Sequence, residues 1–313
     1  MKKRKVFLFS GEGSQYYQMG RPLYERNPVF RKSMIQMNEM VNDISGISVT
    51  CSLYGDRSKV EPLSNILLSH PAIFMVEVAM ARTLMSEGIE PDLTLGASLG
   101  SFAAAVVAGC LNAEVALGLV LRQARLIHDR CPDGGMTAVL ADSARCGDIG
   151  TYALAGRNFA THFVISALTA DLAQAEKNLA RAGILFQRLP VLYPLHSEWI
   201  KPLEAGLSAL SSDVHWRSSH IPFNCCAEGR QIEHIPEDYF WKIGRQPILF
   251  AETINRLEAE SAYHYIDAGP SGTLTTFLKY LLPTSSPSSA HPILTPFGRH
   301  SENLMGLMNS LVA

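Results

Sequence analysis

Gly96-Ala97-Ser98-Leu99-Gly100 constrains this chain more than any other stretch. It follows an apolar run through Leu93 and Leu95 and precedes a small-residue, helix-forming segment, Phe102 to Val107. A Gly-x-Ser-x-Gly between a strand and a helix is a nucleophile elbow. The turn is so tight that its flanking positions carry no bulk, hence the glycines, and the serine hydroxyl is lifted above the sheet edge. The Leu99 amide, at the helix start, then faces a developing oxyanion.

The 313 residues are 47% hydrophobic and 18% charged, enough for one large α/β domain or for a domain with an inserted lobe. Net charge is −2 and the one basic run is Lys2-Lys3-Arg4-Lys5, which argues against nucleic-acid binding. That run leads into Val6-Phe7-Leu8-Phe9, too short before Ser10-Gly11-Glu12-Gly13 for a signal peptide, and it reads as the first core strand. No stretch is expected to reach the roughly 18 apolar residues of a membrane span. The six cysteines lack zinc-type spacing and read as reduced thiols of a cytoplasmic protein.

Periodicity places helices near Tyr16–Asn27, from Pro28 to Met40, from His70 through Met85 with Pro71 in the first turn, and from Ala113 to His128. Gly109 suits a C-terminal cap for the elbow helix. Cys131-Pro132-Asp133-Gly134-Gly135 is a breaker, and the texture then changes. Met136–Leu140, Phe163–Ala167 and Leu185–Leu189 read as short strands around a helix, Ala170 to Ala182, forming a small α+β lobe from about 134 to 192. Beyond it, His196 to Leu210 and Phe250 to Glu258 read as helices. Ile221–Cys225 and Tyr263–Asp267 read as strands, a further helix opens at Gly269-Pro270-Ser271-Gly272, and Pro283 to Pro292 reads as a surface loop.

A serine hydroxyl needs a base. His196, in Tyr193-Pro194-Leu195-His196-Ser197 just after the small lobe, is the best candidate, with Asp213, Glu228 and Asp267 as possible orienting acids. Five motifs in order then carry a resemblance. Phe9-Ser10-Gly11-Glu12-Gly13-Ser14-Gln15 resembles F-P-G-Q-G-S-Q, and His70-Pro71-Ala72 resembles Q-P-A. Gly96 to Ser101 resembles G-H-S-L-G-E, Leu195-His196-Ser197 resembles F-H-S, and Asp267-Ala268-Gly269-Pro270 resembles E-x-G-P. The chain is thus similar to the malonyl-CoA:acyl-carrier-protein transacylases, a family that includes the acyltransferase domains of polyketide synthases.

The resemblance implies an α/β fold: an α/β-hydrolase-like body, 1–133 and 193–313, with an inserted small ferredoxin-like α+β lobe, 134–192, and an active site between them. It implies Ser98 as nucleophile, His196 as base, and the amides of Leu99 and Glu12 as oxyanion hole. It also implies a backbone carbonyl near Ile243 that orients the histidine, no metal and no cofactor. The expected partner is an acyl carrier protein with a phosphopantetheine arm, no nucleic acid and no membrane. Carrier proteins are usually acidic, and Arg122, Arg125 and Arg157 are candidates to receive one.

The chain also departs from the family. An arginine 25 residues after the serine binds the malonyl carboxylate in the family, and the matching residue here is Gln123. On a helix Arg122 and Arg125 point about 100° and 200° away from it. A neutral glutamine would leave a buried carboxylate unpaired, at a cost of several kcal/mol, while acetyl, propionyl or butyryl groups escape that cost. Ala97, Ser101, His70 and Glu12 differ from the family at the same site, and Tyr193-Pro194-Leu195-His196 matches neither common version of the segment that tracks acyl choice. These departures resemble the stand-alone acyl hydrolases of trans-acyltransferase polyketide synthases. The expected function is hydrolysis of short acyl groups from acyl carrier protein thioesters, with Gln123, His70, Ala97, Tyr193, Leu195 and Ile243 shaping the acyl site. A malonyl or acyl transacylase and a non-catalytic carrier-binding module are the alternatives.

Overall fold

Val6-Phe7-Leu8-Phe9 are fully buried on both faces, the continuous apolar run of a central parallel strand. The computed structural model describes residues 3–312 apart from Asp213. Its strands, in chain order, are β1 (Arg4–Phe9), β2 (Leu93–Gly96), β3 (Gly134–Val139), β4 (Ala153–Phe159), β5 (His162–Leu168), β6 (Phe186–Arg188), β7 (Phe223–Cys225), β8 (Arg230–Gln231), β9 (Tyr263–Asp267) and β10 (Ser289–Pro292). One sheet runs β10-β9-β1-β2-β7-β8, parallel except for the edge strand β8. Helices cover both faces: Phe7 and Phe9 pack in the cluster containing Phe74, Val76 and Phe102, while Val6 and Leu8 pack in another with Phe250, Ile254 and Leu278.

The register decides where chemistry can occur. Phe9 pairs with Gly96 and Leu8 with Asp267, so β1, β2 and β9 end together. The loop after β1 and the turn after β2 therefore meet at the carboxyl end of the sheet, where open α/β sheets bind ligands. The second sheet, β4-β5-β3-β6, is antiparallel and packs its own core of Val139, Phe163, Ile165, Leu172 and Leu179 under the Thr169–Arg181 helix. A bridge between Gly156 and Ile248 and a stack of Phe159 on Tyr280 at 4.9 Å join the two.

Several elements differ from the sequence reading. The helix expected to open at Pro71 begins at Ile66, where the Asn65 side chain accepts from the Leu67 amide, and Pro71 lies inside it. This Ile66–Ser86 helix is long and apolar enough to cross a membrane, against expectation, but 89% of its apolar window is buried within the fold. Only Arg21–Arg26 of Tyr16–Asn27 is helical, since Gly20 adopts a left-handed turn at φ 72°. His196 to Leu210 splits into a 3₁₀ segment, Glu198–Leu203, and the helix Glu204–Ser212, because Pro202 lacks the donor an α-helix needs. Ser289–Pro292, expected in a loop, is the edge strand β10. Strand β4 and the helices Tyr239–Arg245 and His300–Val312 were not foreseen, and irregularities at Leu154/Gly156 and Arg157/Phe159 break the period-two signal of β4.

Candidate active site

Ser98 adopts φ 53° between β2 and the Gly100–Val107 helix, a left-handed conformation that a serine holds only when its surroundings impose it. The surroundings are crowded backbone. A Cβ on Gly96 would lie 2.4 Å from Ser101 Cα, and one on Gly100 2.2 Å from the Phe9 carbonyl oxygen. Both elbow glycines are thus required by close approach. A Cβ on Gly11 would lie 3.0 Å from Ser98 Cβ and 3.6 Å from the Leu99 nitrogen, so the loop after β1 rests against the elbow. The Gly11–Glu12 loop is held from behind: the Ser10 amide donates to Glu77 Oε1 at 2.7 Å, Ser14 Oγ to the Gly11 carbonyl, and the Gly13 amide to Gln15 Oε1. Among the described residues the amides of Leu99 and Glu12 have no protein acceptor, which leaves two backbone donors beside the serine.

His196 completes the centre. Its Nε2 lies 2.9 Å from Ser98 Oγ and its Nδ1 2.7 Å from the Gln246 carbonyl oxygen. A carbonyl only accepts, so the Nδ1 position carries the proton and Nε2 presents a lone pair to the serine hydroxyl. The ring is 3% exposed, and burial lowers its pKa to about 4, opposed by the Gln246 carbonyl and the charge of Glu12. A neutral imidazole facing a hydroxyl can take its proton.

The orienting group differs from each sequence candidate. The carbonyl belongs to Gln246, three residues beyond the expected Ile243. The last carbonyls of a helix have no intrahelical partner. At the end of the Tyr239–Arg245 helix, Gly244 accepts the His196 amide at 2.9 Å and Gln246, in extended backbone, accepts the ring. Glu228 instead faces Lys242 and Arg230, and Asp267 accepts from the Gly269 and Thr275 amides. Asp213 lies outside the described residues.

A cavity of about 20 Å³ open to water-sized molecules adjoins Ser98. Leu195, Ile200, Leu203, Leu207 and Ile243 give it an apolar wall; Glu12, His70 and Gln123 give it a polar one. The Glu12 side chain reaches the Ile66–Ser86 helix, its Oε2 3.1 Å from His70 Nε2 and its Oε1 accepting from Ser69 Oγ at 3.3 Å. Gln123 is 6% exposed and, among the described residues, its Oε1 has no protein partner; His70 Nδ1 is likewise buried without one. Leu195 and Ile243, two of the expected site residues, line the same cavity as Gln123 and His70.

Two expected contacts do not line this cavity. Ala97 points to the opposite face of the sheet, into the cluster of Val6, Leu8 and Cys226, because neighbours along a strand alternate. Tyr193 turns its hydroxyl to His128 Nδ1 at 3.1 Å and packs in the main core. Sequence reasoning missed Gln246, Ile200, Leu203, Leu207 and the buried Glu77. Only Glu77 carried a signal, a carboxyl within the fully apolar run of its helix. Of the candidate basic residues, Arg122 and Arg125 share a groove on the Ala113–Arg130 helix, while Arg157 is on β4 and bonds Ser143.

Residues 6–299 match the acyl transferase domain family. The chain is 39% identical to the polyketide biosynthesis acyltransferase homolog BaeD of Bacillus velezensis, over 98% of this chain and 97% of that protein. It is 38% identical to the homolog PksD of Bacillus subtilis, over 97% and 95%. Among solved structures, the loading acyltransferase of the avermectin modular polyketide synthase superposes with a TM-score of 0.88 at 23% identity, covering 98% of this chain and 99% of that one. MCAT from Streptococcus pneumoniae gives a TM-score of 0.80 at 24% identity, covering 98% of this chain and 100% of that one. The fold is the α/β two-lobe architecture of these enzymes, and the chain belongs to the acyl transferase domain family.

Proposed function

We propose that this protein hydrolyses uncharged short acyl groups from the phosphopantetheine thioesters of acyl carrier proteins, in the cytoplasm and in polyketide biosynthesis, with residues 134–192 as a separate lobe over the site. Ser98 Oγ attacks the thioester carbon while His196 Nε2 takes its proton, and the Leu99 and Glu12 amides receive the oxyanion. The carbon–sulfur bond breaks and the thiol leaves with the proton from His196. Water then gives a proton to His196 and attacks the acyl-serine carbon. Ser98 leaves with that proton, and the free acid departs.

The observation that carries the reading is Gln123: a neutral side chain with an unpaired acceptor, in a cavity with no arginine or lysine among its lining residues, at the position where the family's arginine clamps a carboxylate. A second reading, transfer of the acyl group to another carrier protein, is favoured by the names of the two relatives, both acyltransferase homologs. Both readings share the Ser98–His196 chemistry and differ in the acceptor. Mass spectrometry of acetyl-, butyryl- and malonyl-carrier proteins incubated with the enzyme, with and without a free holo acceptor, separates them. We expect free acid from acetyl and butyryl substrates with malonyl largely untouched. Malonyl transfer to the acceptor with little hydrolysis overturns the proposal.

A further inference from the structure

The same cavity holds a second departure whose effect is independent of Gln123. Glu12 brings a carboxyl into the acyl site from the loop after β1, with its side chain 4% exposed. Two donors face its oxygens, Ser69 Oγ and His70 Nε2, the partner set of an acceptor-only carboxylate. Among the described residues Nδ1 of His70 is buried with no partner. The polar wall of the cavity thus seats a carboxylate on Ser69 and His70. Beside it the unpaired Gln123 Oε1 adds another acceptor. The polar wall of the site presents negative charge and lone pairs to whatever enters.

We infer that Glu12 is a specificity-determining residue that excludes acyl groups bearing a carboxylate, and that it does so whether or not a cation stands at position 123. The inference rests on the acyl-site reading above. A substrate carboxylate would meet the Glu12 carboxylate across a small, largely enclosed cavity, where like charges are less screened than in open water. An arginine introduced at 123 would find Glu12 lining the same cavity and pair with it bidentately. One cation shared between two carboxylates leaves the entering one uncompensated. Neither single substitution then admits malonyl, and the double substitution does. Glu12→Gln retains an acceptor for Ser69 and His70, and glutamine is also the family's residue in this motif.

The test is a four-protein cycle: wild type, Glu12→Gln, Gln123→Arg and the double variant. Each is given acetyl- and malonyl-carrier protein, and acylation of Ser98 and release of free acid are read by intact-protein and small-molecule mass spectrometry. The readout is the malonyl-to-acetyl ratio within each protein, which cancels any change in the oxyanion geometry near Glu12. We expect that ratio to stay near the wild-type value in Gln123→Arg and to rise at least about tenfold in the double variant, the weak end of a hydrogen bond to a charged group. An equal rise in Gln123→Arg alone overturns the inference and leaves the hydrolase reading standing. Wild-type turnover of malonyl as fast as acetyl overturns the uncharged-acyl reading, and the coupling between positions 12 and 123 is still read from the cycle. Thermal melts monitor folding, and Gln123→Lys supplies a slimmer cation should arginine not be accommodated.

Discussion

At the scale of single residues, the reactive pair is set by one proton. The Gln246 carbonyl fixes Nδ1–H on His196, and burial keeps the ring neutral down to about pH 4. An exposed histidine would protonate near 6.5 and stop accepting the serine proton there. The acid limb of kcat/KM for acetyl-carrier protein is therefore expected near pH 4 to 5, with a flat profile from pH 6 to 8. A limb between pH 6 and 7 would show that the ring is solvated in the working enzyme. That Ser98, Leu99 and His196 come together was legible from the side-chain types and the glycine spacing. Gln246 was not, since a carbonyl acts without regard to its side chain, and only the end of a helix determines which carbonyl turns inward. Ala97 packs away from the cavity for a related reason: adjacency to the nucleophile in sequence says nothing about which face of the sheet a residue occupies.

At the scale of elements, the site is assembled from ends. β1 ends in the Gly11–Glu12 loop, β2 in the elbow, and the Tyr239–Arg245 helix in the two carbonyls that dock His196. Backbone supplies most of this, which makes the response to substitution selective. Gln246→Ala keeps the carbonyl and should change kcat by less than about threefold, whereas His196→Ala should lose on the order of 10³-fold or more with the general base. Single-turnover acylation of both variants checks this. A loss in Gln246→Ala comparable to that in His196→Ala would mean that the amide side chain, and not the carbonyl, orients the ring. The strong periodic segments, such as Ala113–Arg130 and Thr169–Arg181, were legible in sequence to within a few residues. Strand β4 was not: its bulges at Leu154/Gly156 and Arg157/Phe159 shift side chains between faces, and a two-residue period cannot survive them.

At the scale of the whole molecule, the buried groups that serve the site also set how stability depends on pH, and their signs oppose. Asp267 ends β9 beside β1, fully buried, and burial raises its pKa to about 6 against the pull of the Thr275 and Gly269 amides. Its close neighbour Gly269 abuts Ser10, whose amide binds Glu77, itself raised by burial. For His196, with a folded pKa near 4 against about 6.5 unfolded, stability is full above pH 6.5 and is lost as pH falls toward 4, by about 3 kcal/mol in all. For Asp267, with a folded pKa near 6 against about 4 unfolded, the sign reverses. Its contribution is full below pH 4 and is lost as pH rises through 6, by a similar amount. Between pH 4 and 6 acidification therefore withdraws stability through His196 and returns it through Asp267, and the wild-type profile should be shallow. Asp267→Asn keeps an acceptor for the Thr275 and Gly269 amides but cannot titrate, so its unfolding free energy should fall more steeply from pH 6 to 4, by about 2 to 3 kcal/mol relative to wild type. Urea unfolding of the two proteins at pH 7, 5.5 and 4.5 measures that difference. Parallel curves would mean that Asp267 ionises at its ordinary pH inside the fold. The two amides and one hydroxyl that Thr275 and Gly269 present would then be enough to hold a charge at the sheet's carboxyl end, against the cost of its burial.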